Sequence, residues 1–542
     1  MKICILNSIL IVIFSVNVAY SQSVLADNEK HLIYHDIKTD ANNFILPWYD
    51  KDPAVSFDHV VSLTWDYWKN IPGYWMRNCP NFEKDYGIKF PPLYFLFRTQ
   101  DPADLGIGGG QFAMMLSSFN LYYDYTGNKE VMDNMVFQAD WYINHGFSDS
   151  TFIWPNIPYP CNTKPLPTYD GDLILGKDFT QPDKAGDFGY ELVILYKKTG
   201  NRLYLETAQK IANTLATHTS DGDKDHSPIP FKVNAKTGEI GYILASDGVT
   251  KIESTYTSNW TGTMRLFQQL ISMGAGQNSD SYQQSFDKLL KWMLEYPVTN
   301  NRWGPFFEDV VFWSDTQINA GQMAWFIMDN KELIPAWKED VLNIQKWVID
   351  KLSIDYWEQY GLKIIGEQTA YKCQGQSHTS RHASIELRYA ELTGNTKMVD
   401  EAIRQLSWCT YMVDIDGKNM YPDFNCYEIW WTDGYGDYIR HFLRAMAADP
   451  QLAPSNSNHL LRTSSVVKEI SYQTTAINYQ TFDNSSEEIF RLKSKPKEVK
   501  VDGTNLKEIT ANIFGGWSWQ PLSSGGVLKV KHLKGSKISI TL

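Results

Sequence analysis

Hydrophobic residues along most of the chain follow the period of an amphipathic helix. Apolar side chains recur at i, i+3, i+4 and i+7, which places them on one face of each helix. Such segments run from Trp260 to Gly274, from Ser281 to Tyr296 and from Thr316 to Asn330, and another ends at Leu352. The pattern predicts a mainly α-helical chain built from successive helical hairpins.

A Thr-Gly-Asn triplet marks the turn of three predicted hairpins, around Gly127, Gly200 and Gly394. Glycine suits the left-handed position that ends a helix, and the polar asparagine suits the entry to the next helix. The interval between the second and third copies is close to three units of about 65 residues, so two degenerate hairpins should lie between them. The amphipathic segments after Trp260 and Thr316 supply these two hairpins.

A sixth hairpin can close the set across the two ends of the helical region. It would pair a helix near Phe57–Lys69 with a helix near Tyr435–Ala448. Six hairpins, or twelve helices, are the number in an (α/α)6 toroid. We therefore predict a toroid over residues 55–448, preceded by an N-terminal extension over residues 22–54.

The hydrophobic pattern changes after Asp449. A linker rich in Pro, Ser and Asn covers residues 449–463, and beyond it apolar residues alternate with polar ones, as at Val499 and Val501. Alternation with a period of two, interrupted by glycine-containing turns, is typical of β-strands. The fold class predicted for the whole chain is thus an (α/α)6 toroid followed by a small C-terminal antiparallel β domain over residues 464–542.

The first residues have the pattern of a secretory signal peptide. Lys2 precedes an apolar run over residues 3–18, and the small residues Ala19 and Ser21 follow it. This pattern predicts a signal peptide over residues 1–21. We expect an exported protein, periplasmic or secreted, without stable membrane insertion after cleavage, because no other segment is apolar enough to span a bilayer.

Charge and cysteine content exclude several classes of function. The net charge of −12 and the lack of a long basic run argue against binding of nucleic acid. The cysteines are scattered without zinc-binding spacing. The Asp170–Asp172 spacing is reminiscent of a calcium site but lacks the Gly and Glu of an EF-hand loop, so we expect neither a metal nor a cofactor.

The long connections between hairpins are the expected location of a functional site. In a ring of hairpins the short turns lie on one rim, and the long connections, which lead into the first helix of each hairpin, lie on the other. These connections are crowded with acids, aromatic residues and a few bases, whereas the short turns are not. Ligand-binding residues are therefore expected among them.

Two pairs of acids are the candidate catalytic residues. Asp183 and Asp187 lie at the start of a predicted helix, where a carboxylate either caps backbone amides or takes part in catalysis. Glu308 and Asp309 lie among apolar residues, a setting that raises the pKa of a carboxyl group and produces a general acid. A carboxylate held by a buried arginine is the alternative interpretation of this second pair.

The candidate binding residues are basic and aromatic. His378, Arg381 and His382 form a cluster suited to binding a carboxylate. Tryptophans in the connections suit stacking on sugar rings, although packing in the core explains them almost as well. The remaining candidates are Gln111, Trp260, Trp303, Tyr371, Glu428 and Trp431.

Hairpins with Thr-Gly-Asn turns, acid-rich connections and a signal peptide together resemble the six-hairpin glycosidase superfamily over roughly residues 55–448. Members with these features are often exported bacterial enzymes that degrade polysaccharides, among them unsaturated glucuronyl hydrolases, rhamnogalacturonyl hydrolases and β-glucuronidases. In those relatives, aspartates near the start of inner helices act as acid or base. Asp187 matches that placement best, and Asp183 is its close rival.

The resemblance implies an exported glycoside hydrolase that acts on a uronate-containing poly- or oligosaccharide by carboxylate acid/base catalysis. Asp187 would act together with Glu308 or Asp309. Two alternatives remain. A polysaccharide lyase would use Tyr371 or His378 to abstract a proton while Arg381 neutralises the uronate, and a non-catalytic protein would only bind the glycan.

Overall fold

The computed structural model describes residues 25–28, 31–78, 109–163, 168–274, 279–308, 310–370, 372–419, 431–509 and 515–542. Helices account for most of the described residues up to residue 448, and strands for about half of the described residues after it. Within these ranges no helix is long and apolar enough to cross a membrane.

The described part of the chain contains twelve α-helices, which is the number expected from six hairpins. They are α1 (Pro53–Asn78), α2 (Gly109–Thr126), α3 (Lys129–His145), α4 (Pro182–Thr199), α5 (Arg202–Thr217), α6 (Thr261–Ser272), α7 (Ser279–Met293), α8 (Gln317–Asp329), α9 (Trp337–Leu352), α10 (Gln376–Thr393), α11 (Val399–Thr410) and α12 (Trp431–Ala448). A π-helical turn at Leu294–Val298 and 3-10 turns at Asp355–Tyr360 and Pro450–Leu452 add to them.

The even-numbered helices form the inner ring. Helices α2, α4, α6, α8, α10 and α12 contact each other in that order, and α12 returns to α2. Each odd-numbered helix packs outside, as the partner of an inner helix, and α1 pairs with α12 across the two ends of the helical region. The predicted (α/α)6 toroid is therefore confirmed, including the sixth hairpin.

Inner helices are buried on almost every side, because they face both the outer ring and the axis. In α8, Gln322 is the one residue between 317 and 328 that is not buried. The outer helix α5, in contrast, buries one stripe that includes Tyr204, Ala208 and Ile211. The axis of the ring is thus lined by residues that the amphipathic pattern alone does not single out.

The Thr-Gly-Asn triplet forms the turn between an inner and an outer helix. Gly200 ends α4 in the left-handed conformation with φ of 76°, and its N–H donates to the carbonyl of Tyr196 at 2.7 Å. The Asn201 side chain then accepts from the N–H of Leu203 at 3.1 Å and so caps α5. Thr199 Oγ1 accepts from the N–H of Asn201 at 3.2 Å. All three residues of the triplet therefore have a structural role.

Short antiparallel strand pairs lie in the N-terminal extension and in the connections between helices. They are β1 (Leu25–Asn28) with β2 (His31–Ile33), β3 (Lys38–Thr39) with β4 (Ile45–Leu46), β5 (Gly171–Asp172) with β6 (Gly176–Lys177), β7 (Phe179–Thr180) with β8 (Val233–Asn234), β9 (Tyr242–Leu244) with β10 (Lys251–Glu253), and β11 (Ser353–Ile354) with β12 (Ile364–Ile365). These pairs give the connections defined shapes at the ends of the inner helices.

The C-terminal region consists of two antiparallel sheets, as predicted. Its strands are β13 (His459–Thr463), β14 (Val467–Tyr472), β15 (Ala476–Thr481), β16 (Ser486–Leu492), β17 (Glu498–Val501), β18 (Thr504–Asn505), β19 (Gly516–Pro521), β20 (Gly526–His532) and β21 (Lys537–Thr541). One sheet has the order β13-β16-β20-β19 and the other β14-β15-β21-β17-β18. Val499 and Val501 are both buried, in keeping with the alternation in the sequence.

The β domain packs against the rim that carries the short turns. Tyr472 Oη donates to the backbone carbonyl of Asp124 at 2.6 Å. Lys198 Nζ donates to the carbonyl of Val467 at 2.8 Å and also to Asp124 Oδ1 at 2.6 Å. A Cβ atom on Gly127 would lie 2.9 Å from the carbonyl oxygen of Ile470, so this turn fits closely against the domain. The candidate catalytic rim is the opposite one.

Candidate active site

The first turns of α4 carry two of the candidate catalytic carboxylates. Pro182 occupies a first-turn position of the helix, where its missing N–H costs no hydrogen bond, and Asp183 follows it. Asp187 lies four residues later and therefore on the same face of the helix. Asn259, which immediately precedes the N-cap of α6, donates from Nδ2 to Asp183 Oδ2 at 3.0 Å and to Asp187 Oδ2 at 3.3 Å. One amide thus joins both carboxylates.

Asp183 is fully buried beside a buried lysine. Lys184 Nζ lies 3.1 Å from Asp183 Oδ2, and the same ammonium donates to the backbone carbonyl of Phe306. Burial raises the pKa of the Asp183 carboxyl, and this effect outweighs the opposing charge of Lys184. The other oxygen, Asp183 Oδ1, is buried and has no hydrogen-bond partner within the described residues. Asp183 is thus bound through Oδ2, while Oδ1 remains available to accept a hydrogen bond.

Asp187 has the raised pKa expected of a general acid. Burial is the largest cause, Lys184 opposes it, and the neighbouring Asp183 charge adds to it, so the pKa rises to about 6. The carboxylate packs directly over Gly262 at the start of α6, where a Cβ atom would overlap it. Glycine at this position therefore allows the acid to approach α6.

Asp187 lines an upper axial cavity of about 180 Å³ between the inner helices. Glu191, one turn below Asp187, shares this cavity with Arg265, Arg440 and Gln322. Burial, its largest cause, raises the pKa of Glu191 to about 8, so this side chain is mostly neutral at neutral pH. Arg265 is paired with Asp329 and Arg440 with Asp437, so the cavity places two arginines beside Asp187 and each retains N–H donors for a ligand.

Arg381 belongs to a second polar cluster on the axial side of α10. Its guanidinium donates to Gln317 and to Asp437 and lies 3.1 Å from His378 Nδ1. Asp437 also pairs with Arg440, so one carboxylate is shared between two arginines. Burial is the largest cause of a pKa for His378 well below its usual value, and the charge of Arg381 adds to it. His378 is therefore a neutral imidazole beside a guanidinium.

The structure separates His382 from the cluster in which the sequence placed it. His382 is fully buried and its Nδ1 lies 3.1 Å from Gln345 Nε2, between α10 and the outer helix α9. Burial lowers its pKa to about 4. His378 and Arg381 meet on the side of α10 that faces the other inner helices, whereas the His382 side chain contacts Gln345 of the outer helix α9.

Two of the candidate tryptophans lie in the hydrophobic core. Trp260 is completely buried and its Nε1 donates to the carbonyl of Thr257 at 2.7 Å. Trp303 is also completely buried, with its ring 6.1 Å from that of Trp347. Neither has surface available to a sugar ring, so we assign both to packing and leave them out of the proposed binding site.

Glu308 lies in the same connection as Phe306, whose carbonyl accepts a hydrogen bond from Lys184. Its side chain is almost completely buried, and its backbone carbonyl accepts from Lys232 Nζ at 3.2 Å. Lys232 forms a buried ion pair with Asp172 at 3.0 Å, which gives that aspartate a structural partner. Because Lys184 contacts both the carbonyl of Phe306 and Asp183, this connection lies next to the Asp183 carboxylate.

Five predicted residues cannot be placed in the site. Asp309, Tyr371 and Glu428 lie outside the described residues, and Gln111 and Trp431 are described only as backbone positions in α2 and α12. Among the described residues, no group of three or more His, Cys, Asp or Glu side chains could hold a metal ion.

Sequence reasoning missed the residues that connect the carboxylates to the rest of the site, chiefly Lys184, Asn259 and Arg440. Glu191 was missed as well, although the sequence contained a signal for it. Asp183, Asp187 and Glu191 recur every four residues, which places three acids on one helix face. The contacts of Asn259 and Arg440 cross between helices and leave no such local pattern.

No protein-family model matches the chain, and no curated protein matches it by sequence. Among solved structures it is similar to cellobiose 2-epimerase from Spirochaeta thermophila DSM 6192, with 13% identity, a TM-score of 0.51, and coverage of 64% of this chain and 87% of that chain. A family 76 α-mannanase from Bacteroides thetaiotaomicron has 13% identity, a TM-score of 0.44, and coverage of 72% and 98%. A polysaccharide lyase has 12% identity, a TM-score of 0.43, and coverage of 73% and 97%.

The arrangement of the helices and the similarity to the epimerase define the class of fold. The chain has the (α/α)6 toroid fold, as the pattern of its sequence predicted. Fold alone does not specify a reaction, so the activity must be argued from the carboxylates and arginines at the axis.

Proposed function

We propose that the protein is a carbohydrate-active enzyme, namely a glycoside hydrolase that acts on uronate-containing poly- or oligosaccharides. The observation that carries the proposal is the pair Asp183 and Asp187, which share the amide of Asn259 at the start of an inner helix. The fold supports a carbohydrate substrate, since the similar epimerase is named for cellobiose.

Asp187 is the proposed general acid. With a pKa of about 6 it keeps a substantial protonated fraction at mildly acidic pH, and it can donate that proton to the leaving oxygen. The amide of Asn259 fixes the orientation of the carboxyl group, and the Asp183 charge helps to hold the proton on Asp187. Both neighbours therefore act on the protonation and position of Asp187.

The second carboxylate, which activates water, is proposed to be Glu308 or Asp309. Lys184 links this connection to the acid pair, because its ammonium contacts both Asp183 and the carbonyl of Phe306. A hydrolase of this type needs two carboxyl groups on opposite sides of the scissile bond. The connection after Phe306 enters the site from a different element than α4 and so suits the second role.

Arginines support the proposal that the substrate is anionic. Arg265 and Arg440 line the upper axial cavity with Asp187, while Glu191 is mostly neutral at neutral pH. Arginine recognises a carboxylate with paired, charge-assisted hydrogen bonds. A uronate sugar presents such a carboxylate next to its glycosidic bond.

A polysaccharide lyase remains the second candidate, and one observation favours it. Arg381 lies 3.1 Å from His378, so a guanidinium that would neutralise a uronate is placed beside an imidazole, a pairing of the kind that such a reaction uses. We also propose that the protein acts after export, since its N-terminal residues have the pattern of a signal peptide.

A screen of uronate-containing oligosaccharides separates these functions. We expect new reducing ends without new ultraviolet absorbance from saturated substrates, and loss of absorbance from unsaturated ones. A gain of absorbance would identify a lyase, because β-elimination creates a conjugated double bond. Binding without any change in the sugars would identify a glycan-binding protein and contradict the proposal of an enzyme.

A further inference from the structure

A second cavity lies between the inner helices and the β domain, at the opposite end of the axis from the connections. Its volume is about 310 Å³, within the range of pockets that hold small molecules, which begins at roughly 300 Å³. We call it the lower axial cavity. Val466 of the β domain closes it from below, and Trp325 and Arg444 line it from the ring. Asp187 does not line it, although Asn120, Tyr190 and Arg444 belong to both cavities.

Three polar groups in the wall of the lower axial cavity have no hydrogen-bond partner among the described residues. Trp325 is more than nine-tenths buried, and its Nε1–H has no acceptor. The Oδ1 atom of Asn120 is likewise buried without a donor. No described residue forms a hydrogen bond or an ion pair with the Arg444 guanidinium, whose central carbon lies 5.0 Å from the Trp325 ring centroid. Buried polar groups normally have partners, so the Trp325 N–H and Asn120 Oδ1, together with the partly buried Arg444 guanidinium, indicate a ligand.

The charges around Arg444 favour an anion. The positive charges of Arg440 and Arg265 act on its guanidinium, and Asp329 and Glu191 are the acids that oppose them. Asp329 is already paired with Arg265 at 3.1 Å. Burial keeps Glu191 mostly protonated at neutral pH, so its side chain does not neutralise Arg444. No described carboxylate is therefore committed to the Arg444 guanidinium, so this group is available to bind an anion.

We propose that the lower axial cavity is a binding site for a single free sugar acid of monosaccharide size. The Arg444 guanidinium would bind the carboxylate and the Trp325 N–H would donate to the same ligand. Asn120 Oδ1 would accept from a sugar hydroxyl. A combination of two donors, one of them cationic, and one acceptor matches a uronate, which carries a carboxylate and several hydroxyl groups.

Calorimetric titration of the full chain with glucuronate tests this site. Free glucuronate has no glycosidic bond, so its binding does not depend on the proposed hydrolysis and either proposal can fail alone. We expect one molecule to bind per chain, with glucose and inorganic sulfate each at least tenfold weaker. Equal affinity for glucose would contradict the role of the carboxylate, and equal affinity for sulfate would contradict a sugar-binding site.

Variants test the proposed contacts of the ligand, and those at Trp325 and Val466 also identify the cavity, because these two residues line only the lower one. Arg444→Met keeps an unbranched stem but removes the guanidinium and its charge, and should weaken glucuronate binding at least tenfold. Arg202→Met, which removes an exposed charge, should leave binding unchanged. Trp325→Phe removes the N–H with little loss of volume and should weaken binding severalfold. It also provides a second test if Arg444→Met does not fold.

Val466→Trp should abolish binding, because it fills the lower cavity from the β domain without altering any residue of the upper cavity. Unchanged affinity in Arg444→Met, or in a folded Val466→Trp variant, would overturn the proposed site.

Discussion

Three acidic residues follow each other at successive turns on the axial face of α4. Asp183, Asp187 and Glu191 all have pKa values above their usual ones, and burial is the largest cause for each. Asp183 raises the pKa of Asp187, and Asp187 raises that of Glu191, since adjacent negative charges oppose ionisation. The charge of Arg440 lowers the pKa of both Asp187 and Glu191 and so opposes this effect. The helix face therefore holds protons at a pH where isolated carboxyl groups have lost them.

The pKa of Asp187 predicts the alkaline side of the pH–activity profile. A general acid must be protonated to act, and its pKa of about 6 means that the protonated fraction falls about tenfold for each pH unit above that value. We expect kcat/KM to decrease accordingly between about pH 6 and about pH 8. Initial rates across this range check the prediction, and a flat profile would contradict it.

The turns between inner and outer helices show how local sequence specifies this architecture. Gly127, Gly200 and Gly394 have φ values of 68°, 76° and 75°, a region in which residues with a Cβ atom are strained. A Cβ atom would meet no other atom within 4 Å at Gly200 or at Gly394. At Gly127 it would lie 2.9 Å from the carbonyl oxygen of Ile470. The same triplet is thus used in two different environments.

We expect alanine substitutions at these glycines to differ in their effect on stability. Gly200→Ala and Gly394→Ala should each cost about 1–2 kcal/mol from backbone strain alone. Gly127→Ala should cost more, because the β domain must also move away from the added Cβ atom. Thermal melting of the three variants gives the ranking, with Gly200→Asn as a control that tolerates the left-handed conformation. Equal melting temperatures would contradict the close contact at Gly127.

The sequence predicted elements well where the pattern repeats locally. Helical periodicity and the spacing of three Thr-Gly-Asn turns were sufficient to predict five hairpins, and the sixth followed from pairing the helices at the two ends of the helical region. Side-chain partners across elements were not predictable in this way. Asn259 reaches the acids of α4 from the start of α6, and Asp437 reaches Arg381 from another inner helix. Such pairs depend on how the ring closes.

Aromatic residues illustrate a second limit of sequence reasoning. A tryptophan in an acid-rich connection has the same appearance whether it binds sugar or fills the core. Trp260 and Trp303 are both completely buried, since the connections fold back onto the ends of the inner helices. Burial of this kind is a property of the tertiary fold, and hydrophobic periodicity contains no signal for it.

At the scale of the whole molecule, the β domain is coupled to the toroid through buried polar contacts. Lys198 of α4 lies beneath the β domain and forms an ion pair with Asp124 of α2 at 2.6 Å. The same ammonium donates to the carbonyl of Val467 in β14. One lysine therefore connects two inner helices and a strand, which ties the stability of the ring to that of the domain.

Lys198→Met should destabilise the whole protein by about 3–5 kcal/mol, because Asp124 would remain buried without its partner. We expect one shared unfolding transition at a lower temperature, measured by differential scanning calorimetry. Lys129→Met, which removes a largely exposed ion pair with Asp133, serves as a control and should change little. Separate transitions for ring and β domain in the wild-type protein would contradict the coupling.

Turnover by an Asp187→Asn variant is the most direct test of Asp187 as the general acid. Asparagine keeps the size of the side chain and an acceptor for Asn259 but cannot act as a carboxylic acid. On the oligosaccharide that the screen identifies, we predict a fall in kcat of about 10²- to 10⁴-fold with KM little changed. Asp133→Asn, on the exposed surface of α3, should retain wild-type activity. Full activity of a folded Asp187→Asn variant would contradict the assignment of Asp187 as the general acid.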